Sequence, residues 1–220
     1  MQPLKGHDAS RLSVPTKDVV LVVGSGAREH AILAALARSP RKPSLVCFGS
    51  ARNPGVLDLV AADGLTVGKM DDVSAMVAFA REKGATLAVI GPEAPLAAGA
   101  ADALRAARVP CVGPSQALAQ IEVSKAWSLE LLRRHGVAGV PEFRPYESME
   151  GAREYLEMLG EGNYVVKADG LCGGKGVKVA GDHLANIDEA LAFCRECLPR
   201  FVLCEKLVGQ EFSALALTDG

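Results

Sequence analysis

Short apolar runs alternate with helical patterns through the first half of the chain. Runs rich in β-branched residues predict buried strands at residues 18–23, 45–48, 87–90 and 111–112. Apolar residues at helical spacing predict helices at residues 28–38, 73–83 and 96–107. Strands that alternate with helices predict an α/β domain, with a doubly wound parallel sheet, over residues 18–118.

The pattern changes after residue 118. Helical spacing marks residues 124–135, 149–159 and 187–198, and strand-like runs mark residues 142–144, 164–167, 177–180, 201–205 and 211–217. In the first of these helices, Trp127, Leu131 and Leu132 are expected on the buried face. The mixture predicts a smaller α+β domain over residues 119–220, with antiparallel strands. Residues 1–17 are polar and lack an apolar signal core, so a flexible tail is expected there.

Composition narrows the class of protein. An apolar content of 49% predicts a packed core, and a net charge of −2 argues against a nucleic-acid partner. No apolar run reaches membrane-spanning length, so no membrane partner is expected. Six scattered cysteines predict reduced thiols and a cytoplasmic location. Cys194 and Cys197 form a lone CxxC inside a helical pattern, where ordinary helix residues are favoured over a metal or redox site. The oligomeric state stays open.

The loop from Gly170 to Gly176 lies between two predicted strands and carries four glycines. Glycines let backbone N–H groups approach an anion closely, and Lys167 and Lys175 would add two positive charges for the same phosphates. No Gly-Lys-Ser/Thr leads into a helix, so the loop is not a P-loop. A glycine hairpin that binds nothing is the alternative, and the loop alone does not decide between them.

In the first domain, the turn from Gly24 to Glu29 joins a strand to a helix. It begins like a dinucleotide fingerprint, but Glu29 replaces the third glycine and no acidic residue ends the second strand, so a nicotinamide site is disfavoured. The helix start still offers N–H groups to an anion, and Arg28 could hold a phosphate with two hydrogen bonds. Glu93 follows the strand at 87–90, where it could bind a ribose or an amine, or simply favour a helix start.

Several motifs together resemble one family. They are VVGSGAREHA at residues 22–31, GPEAPL at 91–96, Gly113-Pro114, Ser124-Lys125, VKADGL at 166–171 and GKGV at 174–177. Their order and spacing, from residue 18 to the last residue, resemble the N-terminal half of the glycinamide ribonucleotide synthetase (phosphoribosylamine–glycine ligase) family of the ATP-grasp superfamily. The resemblance implies a pre-ATP-grasp domain followed by a partial ATP-grasp domain.

That resemblance implies an activity and its ligands. ATP, with Mg²⁺, would phosphorylate the carboxylate of glycine, and the amine of 5-phosphoribosylamine would attack the acyl phosphate to give glycinamide ribonucleotide, ADP and phosphate. The implied ATP-binding residues are Lys125, Lys167, Gly173, Gly174, Lys175, Gly176, Glu205, Lys206, Leu207 and Glu211. Among them, Glu205 and the backbone of Lys206 and Leu207 would read adenine, and Glu211 the ribose. The implied substrate-binding residues are Gly24, Gly26, Arg28, Glu29, Asn53, Gly55 and Glu93.

The chain also departs from the family pattern. Ala27 and Cys172 stand where the family usually has glycine and alanine. The family's metal-binding residues and much of its glycine site lie in its C-terminal half, so no metal ligand, nucleophile or base is expected here. The chain alone is expected to be inactive, as a fragment or as a divergent short protein. Another ATP-grasp ligase or carboxylase, and a non-catalytic nucleotide-binding module, are the alternative hypotheses.

Overall fold

The computed structural model describes residues 18–212 and Ala214. The chain divides into two compact units, of which unit 1 ends at Ala119 and unit 2 begins at Gln120. The tail at residues 1–17 and most of the strand expected at 211–217 lie outside the described residues. Within the described part, no helix combines the length and the apolar character needed to cross a membrane.

Unit 1 is built on a parallel sheet. Its strands are β1 (Val19–Val23), β2 (Ser44–Gly49), β3 (Leu65–Val67), β4 (Leu87–Ile90) and β5 (Cys111–Val112). Its helices are α1 (Ala27–Ala37), α2 (Pro54–Leu57), α3 (Val73–Glu82), α4 (Glu93–Ala97) and α5 (Ala100–Ala106), and α6 (Gln116–Val123) spans the division between the units. The strand order is β3-β2-β1-β4-β5, and every pairing is parallel.

Alternate residues of β1 face opposite sides of this sheet. Val20 and Val22 pack in one apolar cluster with Leu33 of α1 and Val56 of α2. Leu21 and Val23 pack in another, with residues of α3 and α5. Because both faces of a strand are covered by helices, its sequence reads as an unbroken apolar run. The predicted doubly wound sheet is confirmed.

Unit 2 is built on an antiparallel sheet. Its helices are α7 (Lys125–Arg134), α8 (Ala152–Leu159) and α9 (Ile187–Glu196). Its strands are β6 (Phe143–Tyr146), β7 (Tyr164–Ala168), β8 (Val177–Val179) and β9 (Phe201–Glu205), in the order β6-β9-β7-β8. All three pairings are antiparallel. The predicted α+β layout, with strands paired across the glycine loop, is confirmed.

The two faces of this second sheet differ. Tyr164, Val166, Phe201 and Leu203 point to one face, where they pack with residues of α8 and α9. On the opposite face, Leu129 of α7 packs against side chains of β6 and β9, which are Phe143, Val202 and Cys204. Because side chains alternate along a strand, Lys167 of β7 projects to the α7 side of the sheet.

Some elements differ from the sequence predictions. The helix expected at 96–107 is two helices, because Gly99 takes a left-handed conformation (φ 85°) between α4 and α5. The elements β3, α2 and α6 were not predicted. The buried residue of α7 is Leu129, whereas Trp127, Leu131 and Leu132 are only partly buried, because the side of α7 that carries Leu129 faces β6 and β9.

Phe201 is the basis of a stability prediction for unit 2. Its side chain is fully buried, and its ring stacks on Tyr146 with centroids 5.1 Å apart. Phe201→Ala is expected to lower the free energy of unfolding by about 3–5 kcal/mol, through lost transfer energy and the cavity left behind. Met158→Ala, at a position of α8 that is 64% exposed, should change it by less than about 0.5 kcal/mol. Urea unfolding followed by circular dichroism measures both, and equal effects would contradict the assignment of the core.

Candidate functional site

Three loops of unit 1 meet at the carboxyl edge of its sheet. They follow β1, β2 and β4, and their backbones are joined: Gly24 N–H donates to Phe48 C=O at 2.8 Å, and Gly91 N–H donates to Val23 C=O at 3.0 Å. The strand order reverses between β1 and β4, and doubly wound sheets bind ligands at that point. The structure thus brings the predicted substrate loops together at one edge.

Ser25 ties the first two loops together, and sequence reasoning missed it. Its hydroxyl accepts hydrogen bonds from the N–H groups of Ser50 and Ala51, both at 3.2 Å, and its carbonyl accepts one from Asn53 Nδ2 at 2.9 Å. Asn53 Oδ1 in turn accepts from Gly55 N–H at 2.9 Å and caps α2. Asn53, predicted to bind substrate, therefore has its amide engaged with protein backbone. Because the partners of Ser25 lie 25 to 28 residues further along the chain, no local signal in the sequence could have found it.

Glu29 is buried inside its own turn, with 4% of the residue exposed. Its carboxylate accepts hydrogen bonds from Gly26 N–H at 2.7 Å and from Arg28 Nε at 2.9 Å. The Arg28 side chain is 61% exposed. Glu29 therefore holds the turn and orients Arg28, whose guanidinium faces solvent at the start of α1.

The remaining predicted residues of unit 1 lie around the same edge. Glu93 is the first residue of α4 and is partly buried, in the first turn where a carboxylate is favoured by the helix dipole. Gly55 lies against the imidazole of His30, and a Cβ at Gly55 would come within 2.4 Å of that ring. Neither the position of Glu93 nor the contact between Gly55 and His30 requires a ligand. The side chains near this edge include those of Arg28, His30 and Glu93.

In unit 2, the glycine loop connects β7 to β8 as an antiparallel hairpin. Lys167 pairs with Val177, Ala168 N–H donates to Gly176 C=O at 2.7 Å, and Lys175 N–H donates to Cys172 C=O at 3.0 Å. Gly173 and Gly174 have φ of 55° and 78°, and a Cβ at either would meet nothing within 4 Å. The tip is therefore open backbone in conformations that favour glycine.

The start of this loop is bound to the start of α7. Ser124 caps α7, accepting from Trp127 N–H at 3.1 Å, and its hydroxyl lies 3.0 Å from both carboxylate oxygens of Asp169. Lys125 Nζ donates to Gly170 C=O at 2.8 Å. Lys125 and Lys167 thus lie on the same side of the sheet as α7, near the loop. Lys125, predicted to contact phosphates, has its ammonium group on the loop backbone.

The predicted adenine hinge follows β9. Glu205 accepts a hydrogen bond from Glu142 N–H at 3.0 Å, and Lys206 N–H donates to Asn163 C=O at 2.9 Å. Lys206 Nζ donates to Ala180 C=O at 2.7 Å, which ties the hinge to the end of β8. Leu207 is 62% exposed, and Glu211 is exposed as well. The side chains of Glu205 and Lys206 therefore hold the hinge backbone in place.

The lone CxxC has the environment of ordinary helix residues. Cys194 is buried in the core of unit 2, and burial raises the pKa of its thiol to about 12, so it stays protonated at neutral pH. All six cysteines are free thiols. Residues 18–212 and 214 contain no group of three or more His, Cys, Asp or Glu side chains placed to hold a metal ion.

The order of these two units matches the order of one family's domains. The N domain of phosphoribosylglycinamide synthetase matches residues 18–122, and its ATP-grasp (A) domain matches residues 123–220. The chain belongs to the phosphoribosylglycinamide synthetase family. The family resemblance of the sequence is therefore confirmed.

Curated relatives agree with this membership, and solved structures share the fold. A phosphoribosylamine–glycine ligase of Methanococcoides burtonii is 42% identical over 203 residues, which cover 91% of this chain and 46% of the relative. The chain spans about half the length of the curated relatives it matches. A solved phosphoribosylglycinamide synthetase from Anaerococcus prevotii has a TM-score of 0.54 at 13% identity, over 88% of this chain and 46% of that one.

A second solved structure shares the fold. The ADP complex of N5-carboxyaminoimidazole ribonucleotide synthetase has a TM-score of 0.69 at 18% identity, over 87% of this chain and 47% of that one. At these identities, both solved structures establish the fold alone. The role of each residue must therefore be inferred from the geometry of this chain.

Proposed function

We propose that this chain is the N-terminal part of a phosphoribosylamine–glycine ligase. Such an enzyme would join glycine to 5-phosphoribosylamine and convert ATP to ADP and phosphate. The observation that carries the proposal is the two consecutive domain matches, which together extend from residue 18 to residue 220. A cytoplasmic location accompanies the proposal and rests on the free cysteines.

Unit 2 would hold ATP. The residues proposed to meet its phosphates are Lys125, Lys167, Lys175 and the loop N–H groups of Gly173, Gly174 and Gly176. The open loop tip leaves room for an anion, and Lys167 stands at the foot of the loop, opposite Val177. ATP supplies the phosphoryl group that activates the carboxylate of glycine. The protein contributes position and positive charge, which is the main requirement of phosphoryl transfer.

The hinge after β9 would hold the adenine ring. Within the described part of the chain, neither Lys206 C=O nor Leu207 N–H has a hydrogen-bond partner. These two groups are the ends of one trans peptide and point in opposite directions, so either the C=O would accept from the amino group of adenine or the N–H would donate to a ring nitrogen. Glu205 keeps this stretch in place through Glu142 N–H, and Glu211 is proposed for the ribose.

Unit 1 would hold 5-phosphoribosylamine. The turn from Gly24 to Gly26 ends at the first residues of α1, where helix N–H groups and the exposed Arg28 suit a phosphate. Glu93, beside the same edge, suits the amine or a ribose hydroxyl. Asn53, Gly55 and Glu29 would shape the loops that surround the substrate. Mg²⁺ is proposed as the partner of ATP, with no ligand assigned among the described residues.

A chimeric enzyme tests the proposed reaction. Residues 18–220 would replace the matching part of the Methanococcoides burtonii ligase, which supplies the other half of the relative's length. We expect phosphate release from ATP that requires both glycine and 5-phosphoribosylamine. ATP binding without such release, while the intact relative is active in the same assay, would instead support a non-catalytic nucleotide-binding module.

A further inference from the structure

Asp169 is the residue that links the glycine loop to the rest of unit 2. It directly follows β7 and precedes Gly170, the first residue of the loop. Its carboxylate lies 3.0 Å from Ser124 Oγ at both oxygens and accepts from Ala126 N–H at 3.2 Å. Its own N–H donates to Arg200 C=O at 3.1 Å, just before β9. One residue therefore joins β7, β9 and α7.

The contacts with α7 amount to a second cap on that helix. Ser124 caps α7 as the residue directly before it, and Asp169, 43 residues further along the chain, accepts a hydrogen bond from the N–H of Ala126. A negative charge is favourable there, since the first turn of a helix carries unpaired N–H groups and the positive end of the dipole. Asp169 is therefore held firmly where it is.

A second bond runs beside the first. Lys125 Nζ donates to Gly170 C=O at 2.8 Å, so the N-cap and the first residue of α7 bind two successive residues at the loop start. Gly170 has a φ of 135°, a conformation in which the chain can leave the strand sharply. Asp169 thus fixes both the point from which the loop departs and the position of the Lys125 ammonium group.

We propose that Asp169 is a positioning residue of the nucleotide site. By binding Ser124 and the start of α7, its carboxylate holds the loop N–H groups and Lys125 in one arrangement that suits phosphates. This inference rests on the proposed function, because it takes the loop and Lys125 as the phosphate-binding groups. A carboxylate that only stabilises a helix is the competing explanation.

Two variants separate these explanations in the 220-residue chain. Asp169→Asn removes the charge and one acceptor of the link to Ser124. Asn186→Ala removes the N-cap of α9, where Asn186 Oδ1 accepts from Glu189 N–H at 3.0 Å, without touching the loop. Both weaken a helix start in unit 2, but only the first releases the loop.

Tryptic cleavage after Lys175, located by mass spectrometry, reports the opening of the loop without any nucleotide. We expect Asp169→Asn to speed this cleavage about 5- to 20-fold and to change the fluorescence of Trp127, the single tryptophan, whose backbone N–H donates to Ser124 Oγ. Titration with ATP should show a Kd raised by roughly the same factor. Asn186→Ala should leave cleavage, fluorescence and Kd within about twofold of the parent chain.

Each outcome decides a different point. Equal cleavage rates in Asp169→Asn and Asn186→Ala would overturn the positioning role. Faster cleavage with an unchanged Kd would overturn its connection with the nucleotide site. If the parent chain binds no ATP, the proposed function fails, and the cleavage comparison still decides whether Asp169 anchors the loop. Should Asp169→Asn fail to fold, Ser124→Gly removes the same bond while leaving an acceptable N-cap residue.

Discussion

Lys167→Ala is expected to weaken ATP binding about 10- to 100-fold while the fold of unit 2 is retained. Lys167 lies near the end of β7, at the foot of the glycine loop and on the side of the sheet where α7 begins. A hydrogen bond to a charged group contributes about 1.5–3 kcal/mol, and each 1.4 kcal/mol changes a Kd tenfold. Isothermal titration calorimetry with ATP measures the loss.

Lys178→Ala is the matched control. Lys178 of β8 pairs with Val166 of β7, so its side chain points to the opposite face of the same sheet from that of Lys167. Its Nζ lies 4.1 Å from the centroid of the Phe193 ring. Its removal should cost the cation–π contact, about 0.5–1 kcal/mol of stability, without a change in ATP affinity. Equal Kd values for the Lys167 and Lys178 variants would exclude Lys167 from the phosphate site.

The strands that the sequence predicts well share a physical cause. β1, β2 and β4 are buried on both faces, so each appears as an unbroken apolar run. β3 has only three residues, two partly buried and one exposed, at the edge of the sheet. So short a segment carries no periodicity, and the pairing with β2 that creates the strand is a tertiary contact that no local pattern reveals.

A single residue can also end an element that composition favours. Residues 96–107 are rich in alanine, the best helix former, which predicts one helix. Gly99 interrupts it, and the C=O of Leu96 accepts from Gly99 N–H at 3.0 Å, where the first of the two helices ends. The cost of one glycine in a helix is too small to predict such a break, because tertiary contacts decide whether the chain turns there.

In the candidate site, too, features set by neighbouring residues were predictable and features set by partners far along the chain were not. The turn at Gly24 and the hairpin from Gly170 to Gly176 were predictable as local structure, because glycines directly after buried strands mark turns. Ser25 and Asp169 were not, because their partners lie 25 to 28 and 43 to 45 residues away along the chain. A serine or aspartate in a loop is ordinary until the fold shows which N–H groups and hydroxyls it meets.

Gly91→Ala is expected to destabilise unit 1 by about 2–5 kcal/mol, although the backbone at Gly91 is one that alanine accepts. A Cβ there would lie 2.1 Å from Glu29 Oε1 and 2.6 Å from its Cδ, so the buried carboxylate would have to move. Moving it breaks its bonds with Gly26 N–H and Arg28 Nε, at about 1.5–3 kcal/mol, and overpacking adds about 1–3 kcal/mol. Urea unfolding measures the loss.

A double-mutant cycle identifies the cause of that loss. If the clash with Glu29 is responsible, Glu29→Ala makes room for the new methyl group, and Gly91→Ala then costs little in the Glu29→Ala background. The expected coupling is about 1–3 kcal/mol, within the range found for residues in direct contact. Additive effects would show that the glycine is required for a reason other than the close approach of Glu29. Because Glu29 also accepts a hydrogen bond from Arg28 Nε, Gly91→Ala should also weaken the binding of the phosphate proposed for the start of α1.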